Sequence, residues 1–250
     1  MKNVIVANFP PNGSKASELL TLIRAQSVNT KNFGWREDDF IIVSNHDKCC
    51  DFGTWIKADI NKFCYTGSKL FAVKHLFEKA GISDSIWAHD LDAWQNSELV
   101  EPSFLDAGFS HYSRPKINGG SQFWKKSGLD IINDAVFEIL KSKSAKEEPI
   151  LQAIYPKYKN RITILNETYN VGCSGFVERF ERATKPIQVC HFHPTNRIAW
   201  QSHRLDRNGL GYVSVSPELE KTIRAFYNPQ SELDKEGKIA QKRKIEARKK

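Results

Sequence analysis

The feature that most constrains the fold is a succession of short apolar runs set between segments of helical period. "NVIVANF" (3–9) is halted by Pro10-Pro11-Asn12-Gly13, which predicts a buried strand and its turn. "KASELLTLIRAQ" (15–26) then carries Leu19, Leu20, Leu22 and Ile23 on or near one helical face. "DFIIVSNHD" (39–47) predicts a second strand, "SKLFAVKHLFEKAG" (68–81) a helix closed by glycine, and "SIWAHDLD" (85–92) a third strand. Strand, helix, strand, helix, strand predicts an α/β fold with a mainly parallel sheet flanked by helices.

The second half is less regular. Helical patterns occupy 127–143 and 144–158, "RITILNETYN" (161–170) and "PIQVCHFHP" (186–194) read as short strands, and "SPELEKTIRAFYN" (216–228) reads as helix. Ser216-Pro217 marks a boundary between a globular body, 1–215, and a charged helical extension, 216–250. Across 250 residues, 40% hydrophobic, the chain is large enough for a core of its own. No run reaches the roughly 18 apolar residues of a membrane span, and the N-terminus turns polar too early for a signal peptide. With five cysteines in no zinc-ribbon or disulfide spacing, a cytoplasmic protein with reduced thiols is expected. A zinc site joining Cys190, His191 and His193 would lack any CxxC or HExxH partner.

"IWAHDLDAWQ" (86–95) carries Asp90 and Asp92 where a buried strand would continue with Val or Ile. On a strand these two side chains project to one face, and in open α/β sheets ligands gather at the carboxyl ends of strands. Two converging carboxylates call for a cation or for solvent. The bland alternative is a strand that simply ends in water.

Taken in order, further segments resemble the GT-A glycosyltransferases that use a DxD motif, and within them the glycogenin-like, family-8-like enzymes. "SKLF" (68–71) resembles the Thr-Lys-Leu that opens the helix before the DxD strand, which implies Lys69 as a donor contact. "INGG" (117–120) is similar to Asn-Ser-Gly, and "EEPILQ" (147–152) sits where that group has Asp-Gln-Asp. "TYN" (168–170) matches its Tyr-Asn, and "HFHPTNRIAW" (191–200) resembles its terminal His-Phe-Ser-Gly-x-x-Lys-Pro-Trp. The resemblance implies a GT-A fold, His191 as third metal ligand beside Asp90 and Asp92, and Arg197 at the phosphate-binding lysine. Pro194 departs from the pattern where glycine would let backbone approach phosphate, and Glu148 departs where glutamine is expected.

The chemistry so implied is sugar transfer from a nucleoside diphosphate, UDP foremost, with manganese or magnesium stabilising the leaving diphosphate. Two carboxylates suit either ion, and the imidazole favours manganese. His193 shares a strand face with His191 and is open to a diphosphate or acceptor contact. Ser144 and Glu147 form a capping box, which makes Glu147 structural. Glu148, kept ionised by the helix dipole, is the catalytic carboxylate together with Asp92: a base in an inverting displacement, or the group beneath the sugar in a retaining one. Asn118, Gly119 and Gly120 permit close main-chain approach to a sugar, or else form a tight turn. By fold analogy, Ala7, Asn8, Phe9 and Asp47 line the base pocket.

For the acceptor, basic-aromatic segments such as "FWKKS" and "YPKYKNR" favour DNA with hydroxymethylated bases, as in bacteriophage DNA-modifying enzymes, with Lys125, Lys126, Tyr169 and Asn170 as contacts. A lipid-linked or surface saccharide is the alternative acceptor. Net charge is +8, and "KIAQKRKIEARKK" at the C-terminus sets seven Lys and Arg against one Glu, so a non-catalytic nucleic-acid-binding protein is the alternative of another class.

Overall fold

The computed structural model describes residues 1–11, 13, 16–60, 68–112, 115–142, 146–172, 179 and 181–191. The extension expected over 216–250, its boundary at Ser216-Pro217, and the candidates His193 and Arg197 lie outside the described residues.

In chain order the elements are β1 (Lys2–Ala7), α1 (Ala16–Asn32), β2 (Phe40–Ser44), β3 (Thr54–Lys57), α2 (Ser68–Glu78), β4 (Ile86–His89) and β5 (Ala93–Gln95). They continue with β6 (Ala107–His111), β7 (Ile117–Trp124), α3 (Leu129–Ser142), α4 (Glu147–Tyr158), β8 (Ile162–Leu165), β9 (Val171–Gly172) and β10 (Val189–His191). Seven strands form the main sheet in the order β3-β2-β1-β4-β7-β6-β8. Parallel pairs join β1 to β2 and β4, β2 to β3, and β6 to β8, whereas β7 runs antiparallel to both β4 and β6. The mainly parallel α/β sheet expected from the sequence is therefore present, with one reversed strand.

Alternation along the strands divides the core into two layers. Val4, Ile41 and Val43 pack with Leu70, Leu76, Ile132 and Leu151 of α2, α3 and α4. Ile5, Ala7, Phe40 and Ile42 pack on the other face with Leu19 and Ile23 of α1. Covering both faces is what lets "NVIVA" and "FIIVS" be apolar without interruption.

From β1 the chain runs outward to β2 and β3, then crosses to β4 on the far side of β1. The carboxyl ends of β1 and β4 thus border the crevice in which open α/β sheets bind ligands. A second sheet, β5-β10-β9, lies over this edge, with His191 of β10 opposite Ala93 of β5 and beside Gly172 of β9.

Four local readings change. Residues 117–120 form no turn; they begin β7, a strand that is buried throughout and whose later residues pair with both β4 and β6, so the ladder overrides the turn preference of Asn-Gly. Helix α1 continues through Asn32, past the end of its apolar pattern, because Gln26, Ser27, Asn29 and Thr30 are buried polar residues. The strand expected over 161–170 stops at Leu165, where a 3-10 turn (Glu167–Tyr169) begins under a cap in which the Asn166 side chain accepts from the Thr168 N–H. Helix α4 starts at Glu147, so this residue holds the first helical position and not the third that a capping box requires.

Candidate metal centre

The aspartates converge by a different route from the one strand alternation suggests. Strand β4 ends at His89, and Asp90 to Ala93 make a tight turn closed by the Ala93 N–H on the Asp90 carbonyl at 3.0 Å. Helix α1 holds this turn from below: Gln26 Nε2 donates to the carbonyls of Leu91 (2.9 Å) and Ala93 (2.8 Å). The Asp90 N–H donates to the Gly120 carbonyl at 2.9 Å, which carries the β4–β7 ladder one step past the strand end.

His191 closes the site. Its Nε2 lies 3.2 Å from Asp92 Oδ1 and 3.5 Å from Asp90 Oδ2, and ligand atoms of all three residues fall within 4.8 Å of one another. Bonds of about 2.1 Å to an octahedral ion place neighbouring ligand atoms about 3 Å apart, so the donor set and its spacing fit a hard divalent cation. The side chains grade from 1% exposed at His191 through 13% at Asp92 to 42% at Asp90, so the centre opens to solvent on the Asp90 side. Burial works against a protonated His191, yet the Asp92 and Asp90 carboxylates outweigh it and raise its pKa, the mark of a site short of positive charge. Cys190, the neighbouring residue of β10, packs into the core with Trp94, and among the described residues the cluster that includes His191 is completed by Asp90 and Asp92, without Cys190.

Lys69 stands beside the centre as a fixed cation. Burial opposes a charged Lys69, but Asp90 and Glu147 hold its pKa above the ordinary lysine value. Its Nζ donates to Asp90 Oδ1 and to the Gly119 carbonyl (2.6 Å) and pairs with Glu147 Oε1 at 3.0 Å. These three partners match the three N–H bonds of an ammonium. Burial also pushes the Glu147 carboxyl above the usual carboxylate range, against the pull of Lys69, and Gln122 Nε2 donates to the same Oε1 at 2.8 Å.

Glu148, the catalytic candidate, is half-buried. Its Oε1 accepts from the Gly119 N–H at 2.8 Å and from the Tyr112 hydroxyl at 2.7 Å. The buried Arg179 guanidinium lies 5.6 Å from the centre of the Tyr112 ring and donates to the Asn170 carbonyl. Asn170 Nδ2 reaches the Asn118 carbonyl at 3.5 Å, so Asn118, Asn170 and Glu148 belong to one neighbourhood. Among the described residues, the buried atoms Asn118 Nδ2, Asn170 Oδ1 and Glu147 Oε2 meet no hydrogen-bond partner, which leaves both donor and acceptor capacity beside the centre.

Of the base-pocket candidates, Ala7 is the last residue of β1, and Asn8 and Phe9 follow it. Asn45 clamps Phe9 there through its backbone N–H and carbonyl, each at 2.8 Å. Asn8 Nδ2 donates to the Ile60 carbonyl at 3.2 Å, and Asp47 is exposed and paired with Lys57 at 2.6 Å. Lys125 and Lys126 lie elsewhere. Trp124 pairs with Ile86 at the start of β4 while Ser121 pairs with His89 at its end, so both lysines sit at the opposite edge of the sheet from Asp90. Lys125 donates there to the Phe104 carbonyl at 2.7 Å. The Tyr169 ring packs edge-on against Phe123 at 5.4 Å.

Glu147, Gln122, Tyr112, Arg179 and Gln26 were not legible as site residues. Glutamate at a helix start reads as a cap, and a polar residue inside an apolar strand was the one available signal for Gln122.

No family model matches the chain. A stretch of 71 residues, 28% of the chain, is 37% identical to the DNA primase of Saimiriine herpesvirus 2 and spans 8% of that protein. Among solved structures, the fold is similar to the galactosyltransferase LgtC in complex with donor and acceptor sugar analogues. That likeness has a TM-score of 0.58 at 14% identity, over 89% of this chain and 100% of the other. It is also similar to the glycosyltransferase GlyE of Streptococcus pneumoniae, with a TM-score of 0.55 at 11% identity, over 90% of this chain and 62% of that one. At such identities the likeness establishes the fold: a GT-A, Rossmann-like sheet flanked by helices.

Proposed function

We propose that this protein is a glycosyltransferase that moves a sugar from a nucleoside diphosphate, UDP in the first instance, to a hydroxyl acceptor with the help of a divalent cation. The observation that carries this reading is the meeting of Asp90, Asp92 and His191 at the carboxyl edge of a GT-A sheet. These three residues would hold the ion, manganese being favoured by the imidazole nitrogen. Such an ion supplies Lewis-acid stabilisation of the charge that builds on the departing diphosphate.

The chain's own groups have separable tasks. Lys69 fixes the Asp90 carboxylate by charge and hydrogen bond, and its place in the resemblance makes it a donor contact as well. Glu148, with one oxygen held by two donors, presents its carboxylate in a fixed orientation at the reacting centre, where it serves as base or as nucleophile. Asn118 and Asn170 hold hydrogen-bonding capacity for sugar hydroxyls, and Ala7, Asn8 and Phe9 border the base. Arg197 is a diphosphate contact by its place in the sequence resemblance, and His193, which the sequence puts on the strand face of His191, is open to the diphosphate or the acceptor.

Hydroxymethylated DNA is the acceptor favoured by the basic-aromatic segments and by the basic C-terminus, which fits a phage protein working in a host cytoplasm. One of those segments, YPKYKNR, is bound up internally: Lys157 pairs with Asp134, and Arg161 with Asp106 and Asp130. A saccharide acceptor is therefore tested beside DNA. Among the described residues no helix is long and apolar enough to cross a membrane.

The test incubates the protein with a panel of nucleotide sugars and with hydroxymethylated DNA or oligosaccharides, in manganese or in EDTA, reading nucleotide release and acceptor mass. Manganese-dependent release that Asp92→Asn reduces at least 100-fold, at unchanged thermal stability, is expected. Equal release from the variant, or none from the parent with any donor, would overturn the reading.

A further inference from the structure

The sequence offers Asn118-Gly119-Gly120 as bare backbone for a sugar to approach, but the space beside both glycines is filled by protein. A Cβ on Gly119 would lie 2.9 Å from Glu147 Oε1 and 3.1 Å from Glu148 Cγ. On Gly120 it would lie 2.0 Å from His191 Nδ1 and 2.1 Å from His191 Cε1, far inside contact distance. Neither glycine needs an unusual φ, so their conservative feature is the missing side chain and not backbone freedom.

We infer that Gly120 is a positioning residue for the metal centre, the seat on which the His191 ring and the Asp90 backbone are both mounted. This rests on the metal reading of Asp90, Asp92 and His191 given above. Two contacts converge on the one residue. Its carbonyl accepts the Asp90 N–H at 2.9 Å, which fixes the start of the Asp90 turn. Its bare Cα faces the Nδ1–Cε1 edge of His191, which leaves Nε2 as the nitrogen turned toward Asp92 and Asp90. Gly120 therefore selects which imidazole nitrogen can serve as ligand.

The ring has no easy retreat. His191 lies between Ala93 and Gly172 in the ladder of the smaller sheet, so its backbone is held from both sides. Gly120 is itself inside β7, one residue before the Ser121–His89 pair. A methyl group added between two paired backbones must be absorbed by rotating the imidazole, which carries Nε2 away from the carboxylates. Orientation errors of this kind typically cost 10–100-fold in metal affinity.

The experiment combines Gly120→Ala, His191→Ala and the double variant with a control, Gly108→Ala, another buried strand glycine whose Cβ would lie 2.9 Å from Leu165 Cδ1. Manganese affinity is read by electron paramagnetic resonance of the free ion, and stability by thermal unfolding in EDTA. Gly120→Ala is expected to weaken manganese binding at least tenfold, while Gly108→Ala lowers the unfolding temperature and leaves manganese affinity within twofold. In EDTA, Gly120→Ala is expected to lower the unfolding temperature in the parent and to have little effect in the His191→Ala background, since the clash has been removed. Parental manganese affinity in a folded Gly120→Ala variant would overturn the inference, as would an equal loss of stability with and without the His191 ring. No manganese binding by the parent itself would instead sink the metal reading, and the stability cycle would still report on the seat.

Discussion

Lys69 is buried at the hinge between the metal ligands and the acidic start of α4, with every N–H of its ammonium matched by an acceptor. Removing it leaves Asp90 and Glu147 facing each other across a low-dielectric site without a fixed counter-charge. Lys69→Met is expected to destabilise the protein by about 3 kcal/mol in EDTA, in line with breaking a buried ion pair by deleting one partner. Urea unfolding measures this, and a loss below about 0.5 kcal/mol would mean that the pair carries no net weight. At this scale Asp90 and Asp92 were legible, because two acids ending an apolar run are costly without a purpose, and His191 was legible only through the family resemblance of its segment. Glu147 was not, because its neighbours in sequence supply a complete local explanation for a glutamate at a helix start.

At the scale of elements, the polar stretch of α1 explains itself only through what it reaches. Gln26 ties two carbonyls of the aspartate turn to the helix, and Asn29 Nδ2 adds the Gln95 carbonyl at 3.2 Å. Gln26→Leu is expected to cost about 2 kcal/mol, since two buried carbonyls lose their donor, and to weaken manganese binding about tenfold as the turn loosens. Calorimetric titration with manganese checks the second effect, and an unchanged affinity would show that the turn holds itself. The amino-terminal edge of the sheet has its own clasp. Hydrogen bonds from Arg36 and Lys2 hold the Asp39 carboxyl down at about 2, from an ordinary value of 3.8. A depressed folded-state pKa contributes stability that is full above pH 4 and disappears as pH falls toward 2. The unfolding temperature of Asp39→Asn should thus lie below the parent's at pH 7, and the gap should close between pH 4 and pH 2. A gap that persists at pH 2 would assign the effect to packing.

For the whole molecule, charge is unevenly placed: the basic stretch 238–250 supplies most of the net +8. If the acceptor is a polynucleotide, deleting residues 229–250 should weaken duplex DNA binding and flatten its salt dependence, with donor affinity changed by less than twofold. Filter binding across a salt series reads this, and an equal loss for donor and DNA would assign the segment to the fold.

The sequence by itself determined the α/β class, the parallel core strands and the pair Asp90 and Asp92 as candidate ligands, because periodicity and misplaced acids are local properties of a chain, whereas His191 entered only through a resemblance to a known family. It could not show that Asn-Gly-Gly is a strand, that Gln26 braces a turn 65 residues away, or that Gly120 seats a histidine. Those facts depend on which segments pair and pack, and the free energy of pairing across a sheet is decided by partners that lie far off in the chain. Only the tertiary structure, by laying β10 beside β5, brought an imidazole to the two carboxylates.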